Sequence, residues 1–126
     1  RRHNFDRLRA ALAETEDRLI LPVPAENSRP SWFGFLITCK EGTARNKLVQ
    51  YIESKGIQTR MLFAGNLIKH PCFDEMRAEK KGYRVVGSLE DTDRIMSDTF
   101  WVGVYPGMTD EKIDYMAKVI KEGLLQ

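Results

Sequence analysis

Arg60, Asn66, Lys69 and His70 fall in one run, Gly56-Ile57-Gln58-Thr59-Arg60-Met61-Leu62-Phe63-Ala64-Gly65-Asn66-Leu67-Ile68-Lys69-His70-Pro71. Together they could bind an anion that also carries hydroxyl groups. Arginine presents a planar fork of five donors suited to phosphate or carboxylate. Asparagine both donates and accepts, which suits sugar hydroxyls. Histidine titrates near neutrality and can donate to an anion or move a proton. The same residues also admit plainer roles: Arg60 could pair with Glu53 or Asp74, Asn66 could shape a turn, and His70 could sit in solvent. Arg94, flanked by acids, has the same choice between a ligand and an ion pair.

Other chemistries lack their residues. No Gly-x-Ser-x-Gly elbow and no phosphate-cradling glycine loop occurs. Glu90, Asp91 and Asp93 resemble the acidic first turn of a helix, where they oppose the positive end of the helix dipole. Cys39 and Cys72 are the only cysteines. Cys39 lies in an apolar strand, Cys72 follows a proline, and the pair forms no CxxC, so neither a disulfide nor a metal site is expected. His70 and Cys72 alone are too few ligands for a metal.

The charge is +2, from 20 basic and 18 acidic residues mixed along the chain, which argues against a nucleic-acid partner with its dense basic stripe. Arg1-Arg2 and Lys80-Lys81 read as solvated surface. No apolar run reaches the length that spans a bilayer, so no membrane partner and a cytoplasmic location are expected.

The elements that would position the polar run follow from periodicity. Phe5, Leu8 and Leu12 share one face of an opening helix over 1–18. Leu19 to Pro24 is extended because two prolines forbid helix. Trp32 to Cys39 alternates, with Phe33, Phe35, Ile37 and Cys39 on one face and Trp32, Gly34, Leu36 and Thr38 on the other. Apolar residues on both faces predict an interior strand, and Gly34 predicts close approach by a backbone or a bulky group. A helix capped by Thr43, with Ala44, Leu48 and Ile52 inward, ends at Gly56. A strand over 58–63 enters the Ala64–Pro71 loop. Short helices are expected over 73–81 and over 90–97, the second with Ile95 and Met96 turned inward, and an extended piece over 83–86 between them. Thr99 to Val104 is a third strand, and Thr109 caps a last helix carrying Ile113, Met116, Ala117, Ile120 and Leu124. The sum is one small α/β sandwich with a three- or four-stranded, mainly antiparallel sheet and helices on one face. The start, with neither methionine nor cap signature, predicts a piece of a longer polypeptide.

The segments Pro30-Ser31-Trp32-Phe33-Gly34-Phe35, Gly56 to Leu67, and Phe100-Trp101-Val102-Gly103-Val104-Tyr105-Pro106-Gly107-Met108-Thr109 resemble the C-terminal domain of the DegT/DnrJ/EryC1 family. The resemblance runs from about residue 30 to the end of the chain. These are vitamin B6-dependent enzymes of nucleotide sugars, with the aspartate aminotransferase fold (PLP-dependent fold type I). Within the family the chain is most similar to 3-dehydrases acting on CDP-4-keto-6-deoxyglucose in O-antigen dideoxysugar biosynthesis. The resemblance implies residues 1–18 as a lead-in helix from a large domain and 19–126 as the small domain. It implies PMP or PLP and a [2Fe–2S] cluster in the full-length parent, bound by residues outside this chain. It also implies a CDP-sugar substrate and a homodimer served by a reductase partner. This stretch would form one wall of the substrate cleft and have no catalytic residue or activity alone. Arg60, Asn66 and His70 would meet diphosphate or hydroxyls, and Trp32, Phe33 and Phe35 would supply apolar contact. Two alternatives stay open: the small domain of a PLP-dependent sugar aminotransferase, told apart by an upstream lysine or histidine, and a stand-alone α/β anion-binding module.

Overall fold

In the computed structural model, which describes residues 1–126, the alternating segment Gly34–Cys39 forms strand β2. Phe35, Ile37 and Cys39 are buried on one face, and Gly34, Leu36 and Thr38 are half-exposed on the other. Three further strands, β1 (Leu19–Ile20), β3 (Thr59–Met61) and β4 (Thr99–Gly103), complete a sheet of order β1-β2-β4-β3. Every neighbouring pair is antiparallel. The register sets Phe35 opposite Val102, Leu36 opposite Trp101 and Ile37 opposite Phe100, so β2 is an interior strand, as its two apolar faces require.

Three helices cover the face bearing Phe35 and Phe100. They are α1 (Arg2–Leu12), α2 (Arg45–Ser54) and α5 (Asp110–Gly123). Phe5, Leu8 and Leu12 from α1, Leu48, Val49 and Ile52 from α2, and Ile113, Met116, Ala117 and Ile120 from α5 join the sheet in one core. Each fully buried leucine or isoleucine contributes about 1.5–3 kcal/mol of transfer free energy, so this face holds the fold together. Helix α1 is continuous with that core and is further clamped to α5: Arg7 donates from Nε and Nη2 to the two oxygens of Asp114 at 2.8 and 2.7 Å. Thr109 caps α5, its hydroxyl oxygen accepting the Lys112 N–H at 3.4 Å. Gly56, at φ +81°, ends α2 as expected.

Several elements depart from the expectation. Thr43 does not cap α2; its N–H donates to Lys40 in a turn, and exposed Ala44 takes the N-cap place without a side-chain bond. Helices α3 (Asp74–Glu79) and α4 (Glu90–Asp98) form, but neither buries a residue, and Ile95 and Met96 stay exposed. Helix α4 runs directly into β4 and packs against β2 and β4. The extended piece expected over 83–86 joins no ladder of the sheet. Strand β3 stops at Met61, because Phe63 turns to φ +49° and leaves the ladder.

Candidate functional site: an aromatic groove beside Arg60

The sheet face away from the three core helices carries Leu36 and Trp101, a directly opposed pair, and Arg60, which opposes Trp101 from the other side. Gly34 makes room for the indole, for a β-carbon there would stand 2.7 Å from Trp101 Cε3. Phe33 precedes the first paired residue of β2 and is free of its alternation. It is 59% exposed and meets Trp101 edge to face, with ring centroids 5.2 Å apart. Val23, Leu62 and Phe63 close the sides. The result is an apolar groove of about 410 Å³, with Phe33, Leu36 and Trp101 in its lining. A connected apolar surface of this kind, ringed by aromatic side chains, marks a binding face more often than a solvated one.

Arg60 is the cation at this face. Its two expected partners are engaged elsewhere: Glu53 accepts the Thr59 hydroxyl at 2.6 Å, and Asp74 pairs with Arg77. The guanidinium is exposed and has no ion-pair partner within the chain. Its fork of donors is therefore available to an incoming anion.

The other polar groups of the run are engaged by partners within the chain. Asn66 is 3% exposed, and its amide donates to Asp93 Oδ1 at 2.7 Å. Lys69 Nζ lies 2.7 Å from Asp93 Oδ2. The hydrogen bonds from Lys69 and then Asn66 hold the Asp93 carboxyl below the usual carboxylate range, against a smaller opposing effect of burial. His70 Nε2 donates to the Ala64 carbonyl at 2.5 Å, and Arg77 donates to the carbonyls of Ile68 and His70. Residues 64–70 lie outside any ladder, so side chains satisfy one another and the loop backbone.

Of the six residues expected to touch ligand, the structure brings Trp32 and Phe33 to the groove and Arg60 to the same sheet face. Trp32 is half-buried, its ring 4.7 Å from Phe5. Phe35 does not reach the groove. It is fully buried 4.8 Å from Phe5, because strict alternation within β2 sends it to the core. Asn66 and His70 spend their polar atoms inside the loop. Sequence reasoning missed Trp101, Phe63 and Asp93. The alternation of Phe100, Val102 and Val104 would have placed Trp101 on the outer face, whereas the φ of Phe63 and the partners of Asp93 carry no local signal.

The residues present do not fit a vitamin B6 phosphate or an iron–sulfur cluster. The groove lining offers no lysine, serine or carboxylate for a phosphate, a Schiff base or a pyridine nitrogen. Cys39 is buried, with its thiol pushed up to about 11 chiefly by burial, and Cys72 is exposed. Two separated thiols cannot supply the four ligands of a [2Fe–2S] centre.

The sequence profile of the DegT/DnrJ/EryC1/StrS aminotransferase family matches residues 1–121. The lipopolysaccharide biosynthesis protein RfbH of Salmonella typhimurium is 48% identical over 124 residues, covering 97% of this chain and 27% of that protein. The dTDP-4-dehydro-2,6-dideoxy-D-glucose 3-dehydratase of Saccharopolyspora spinosa is 46% identical, covering 97% of this chain and 26% of that protein. Among solved structures, the H188N variant of the GDP-4-keto-6-deoxymannose-3-dehydratase ColD with bound GDP-perosamine aligns with a TM-score of 0.76 and 25% identity. That alignment covers 94% of this chain and 30% of the other. The chain thus spans about a quarter of the length of the curated relatives it matches. No helix is long and apolar enough to cross a membrane.

Proposed function

Since this chain belongs to the DegT/DnrJ/EryC1/StrS aminotransferase family, we propose that it forms one wall of the substrate cleft in a vitamin B6-dependent nucleotide-sugar 3-dehydratase. The single observation that carries this reading is Arg60, an unpaired guanidinium on the face that holds the aromatic groove. A nucleotide sugar offers that face two complementary parts: a diphosphate for the arginine fork, and flat apolar surface for aromatic side chains. Phe33, Trp101 and Phe63, with half-buried Trp32, supply the apolar contact. Asn66 and His70 act one step back, through the loop they stabilise.

Dehydration at C3 of a 4-keto-6-deoxy sugar is favoured over amination by the 46% identity to the 3-dehydratase of Saccharopolyspora spinosa. Within that class, CDP-4-keto-6-deoxyglucose and O-antigen dideoxysugar biosynthesis are the specific substrate and route we assign. A homodimer, a reductase partner and a [2Fe–2S] cluster belong to the same assignment. The cofactor that provides the electron sink, PMP or PLP, and the cluster would be held by residues outside this chain, whose share is to bind and orient substrate and to exclude water. The small domain of a PLP-dependent sugar aminotransferase is the second reading, supported by membership of a family named for its aminotransferases.

The test is Arg60→Ala in the full-length enzyme that carries this chain. Loss of a charge-assisted contact to phosphate is expected to raise KM for the nucleotide sugar about tenfold or more, with kcat little changed. An unchanged KM rejects the assignment of the groove.

A further inference from the structure

We infer that helix α4 anchors the far wall of the groove, with Asp93 as a positioning residue for Phe63; this inference rests on the reading of the groove as the nucleotide-sugar wall. Leu62 and Phe63 line the groove directly after β3. Phe63 sits at φ +49°, its N–H bonded to the Met61 carbonyl at 2.8 Å, and its ring is 80% exposed. A bulky residue in the left-handed region is disfavoured, and such a conformation persists only where its surroundings impose it. No burial of the ring repays it here. The constraint therefore has to come from the residues that follow.

Those residues are fastened to one side of α4. Asp93 and Met96 stand three residues apart on that helix and share a face. Asp93 takes the amide of Asn66 and the ammonium of Lys69, both at 2.7 Å. Met96 packs on Gly65 so closely that a β-carbon there would stand 2.6 Å from Met96 Cγ, and its sulfur accepts the Asn66 N–H at 3.4 Å. Arg45 of α2 donates to the Met96 carbonyl at 3.1 Å and also meets the Met61 sulfur, tying α4 to the end of β3. The strained aromatic is held between a ladder on one side and the Asp93–Met96 seat on the other.

The experiment uses the full-length enzyme with Asp93→Asn, Asp93→Glu and Lys69→Gln. Hydrogen exchange over residues 62–70 and steady-state kinetics are read together, with exchange in β4 and α5 as the control for folding. Asp93→Asn is expected to speed exchange at 64–70 roughly fivefold. It should also raise KM for the nucleotide sugar several-fold at constant kcat. Asp93→Glu restores both in part, and Lys69→Gln moves both in the same direction by less. Unchanged exchange over 62–70 in Asp93→Asn and Lys69→Gln overturns the anchor. Faster exchange with native KM overturns Asp93 as a positioning residue. The Arg60→Ala variant keeps the two claims apart: a native KM there rejects the groove assignment, while the exchange data still decide the anchor.

Discussion

The indole of Trp101 lies over the α-carbon of Gly34, so near that a β-carbon on residue 34 would stand 2.7 Å from Cε3. The two residues sit diagonally on adjacent strands, Gly34 opposite Gly103 and Trp101 opposite Leu36. The glycine is thus the floor on which the groove's largest aromatic rests. Gly34→Ala should displace the indole and cost about 1–3 kcal/mol, as overpacking does. Urea denaturation measures the cost, and tryptophan fluorescence reports the displacement.

Phe33 and Phe35 are two residues apart and lie in opposite environments. Phe35→Ala should cost about 3–5 kcal/mol, since it empties a fully buried site. Phe33→Ala removes an exposed ring and one edge-to-face contact, so about 0.5–1.5 kcal/mol is expected. Equal losses in thermal denaturation would place Phe35 outside the core.

Alkylation separates the cysteines. Cys72 is exposed, whereas Cys39 is buried with a thiol raised to about 11. At pH 8 iodoacetamide should label Cys72 in the native state and reach Cys39 only after denaturant is added. Intact mass gives the answer directly.

The clamp between α1 and α5 sets an acid dependence. The hydrogen bond from Arg7 holds the Asp114 carboxyl below its ordinary value, against a smaller effect of desolvation. A depressed carboxylate stabilises the fold above its unfolded pKa, about 3.9, and that contribution is lost as pH falls through the lower folded value. Asp114→Asn should therefore be less stable than the parent at pH 6. The two stability curves should converge below the usual carboxylate range. A constant gap down to pH 2 would show that Asp114 acts through packing instead of charge.

Arg60→Ala should leave the denaturation midpoint unchanged, because the exposed guanidinium has no partner to lose. A clear drop in the midpoint would reveal a structural role and weaken its assignment to ligand.

Local sequence determined much of this protein. The helical spacing of Ile113, Met116, Ala117 and Ile120, capped by Thr109, specifies α5 and its buried face. The period-two pattern of Gly34 to Cys39 specifies an interior strand, and Gly34 among large residues announces a bulky neighbour, which proves to be Trp101. The segments around Trp32, Arg60 and Phe100 also carry the family resemblance. These features are legible because period, cap and turn are set within a few residues.

Tertiary structure decided which polar groups are free. Arg60, Asn66, Lys69 and His70 look alike in the run that holds them. Asn66 and Lys69 are claimed by Asp93, which is distant in sequence and locally resembles only the acid of a helix start. His70 is claimed by Ala64, and Arg60 is left open because Thr59 takes Glu53 and Arg77 takes Asp74. Likewise only the register of β2 against β4 sets Trp101 opposite Leu36, beside Phe33, and so makes a groove. Hydrogen-bond competition and strand register are contests between distant segments, and a local pattern contains only one side of each.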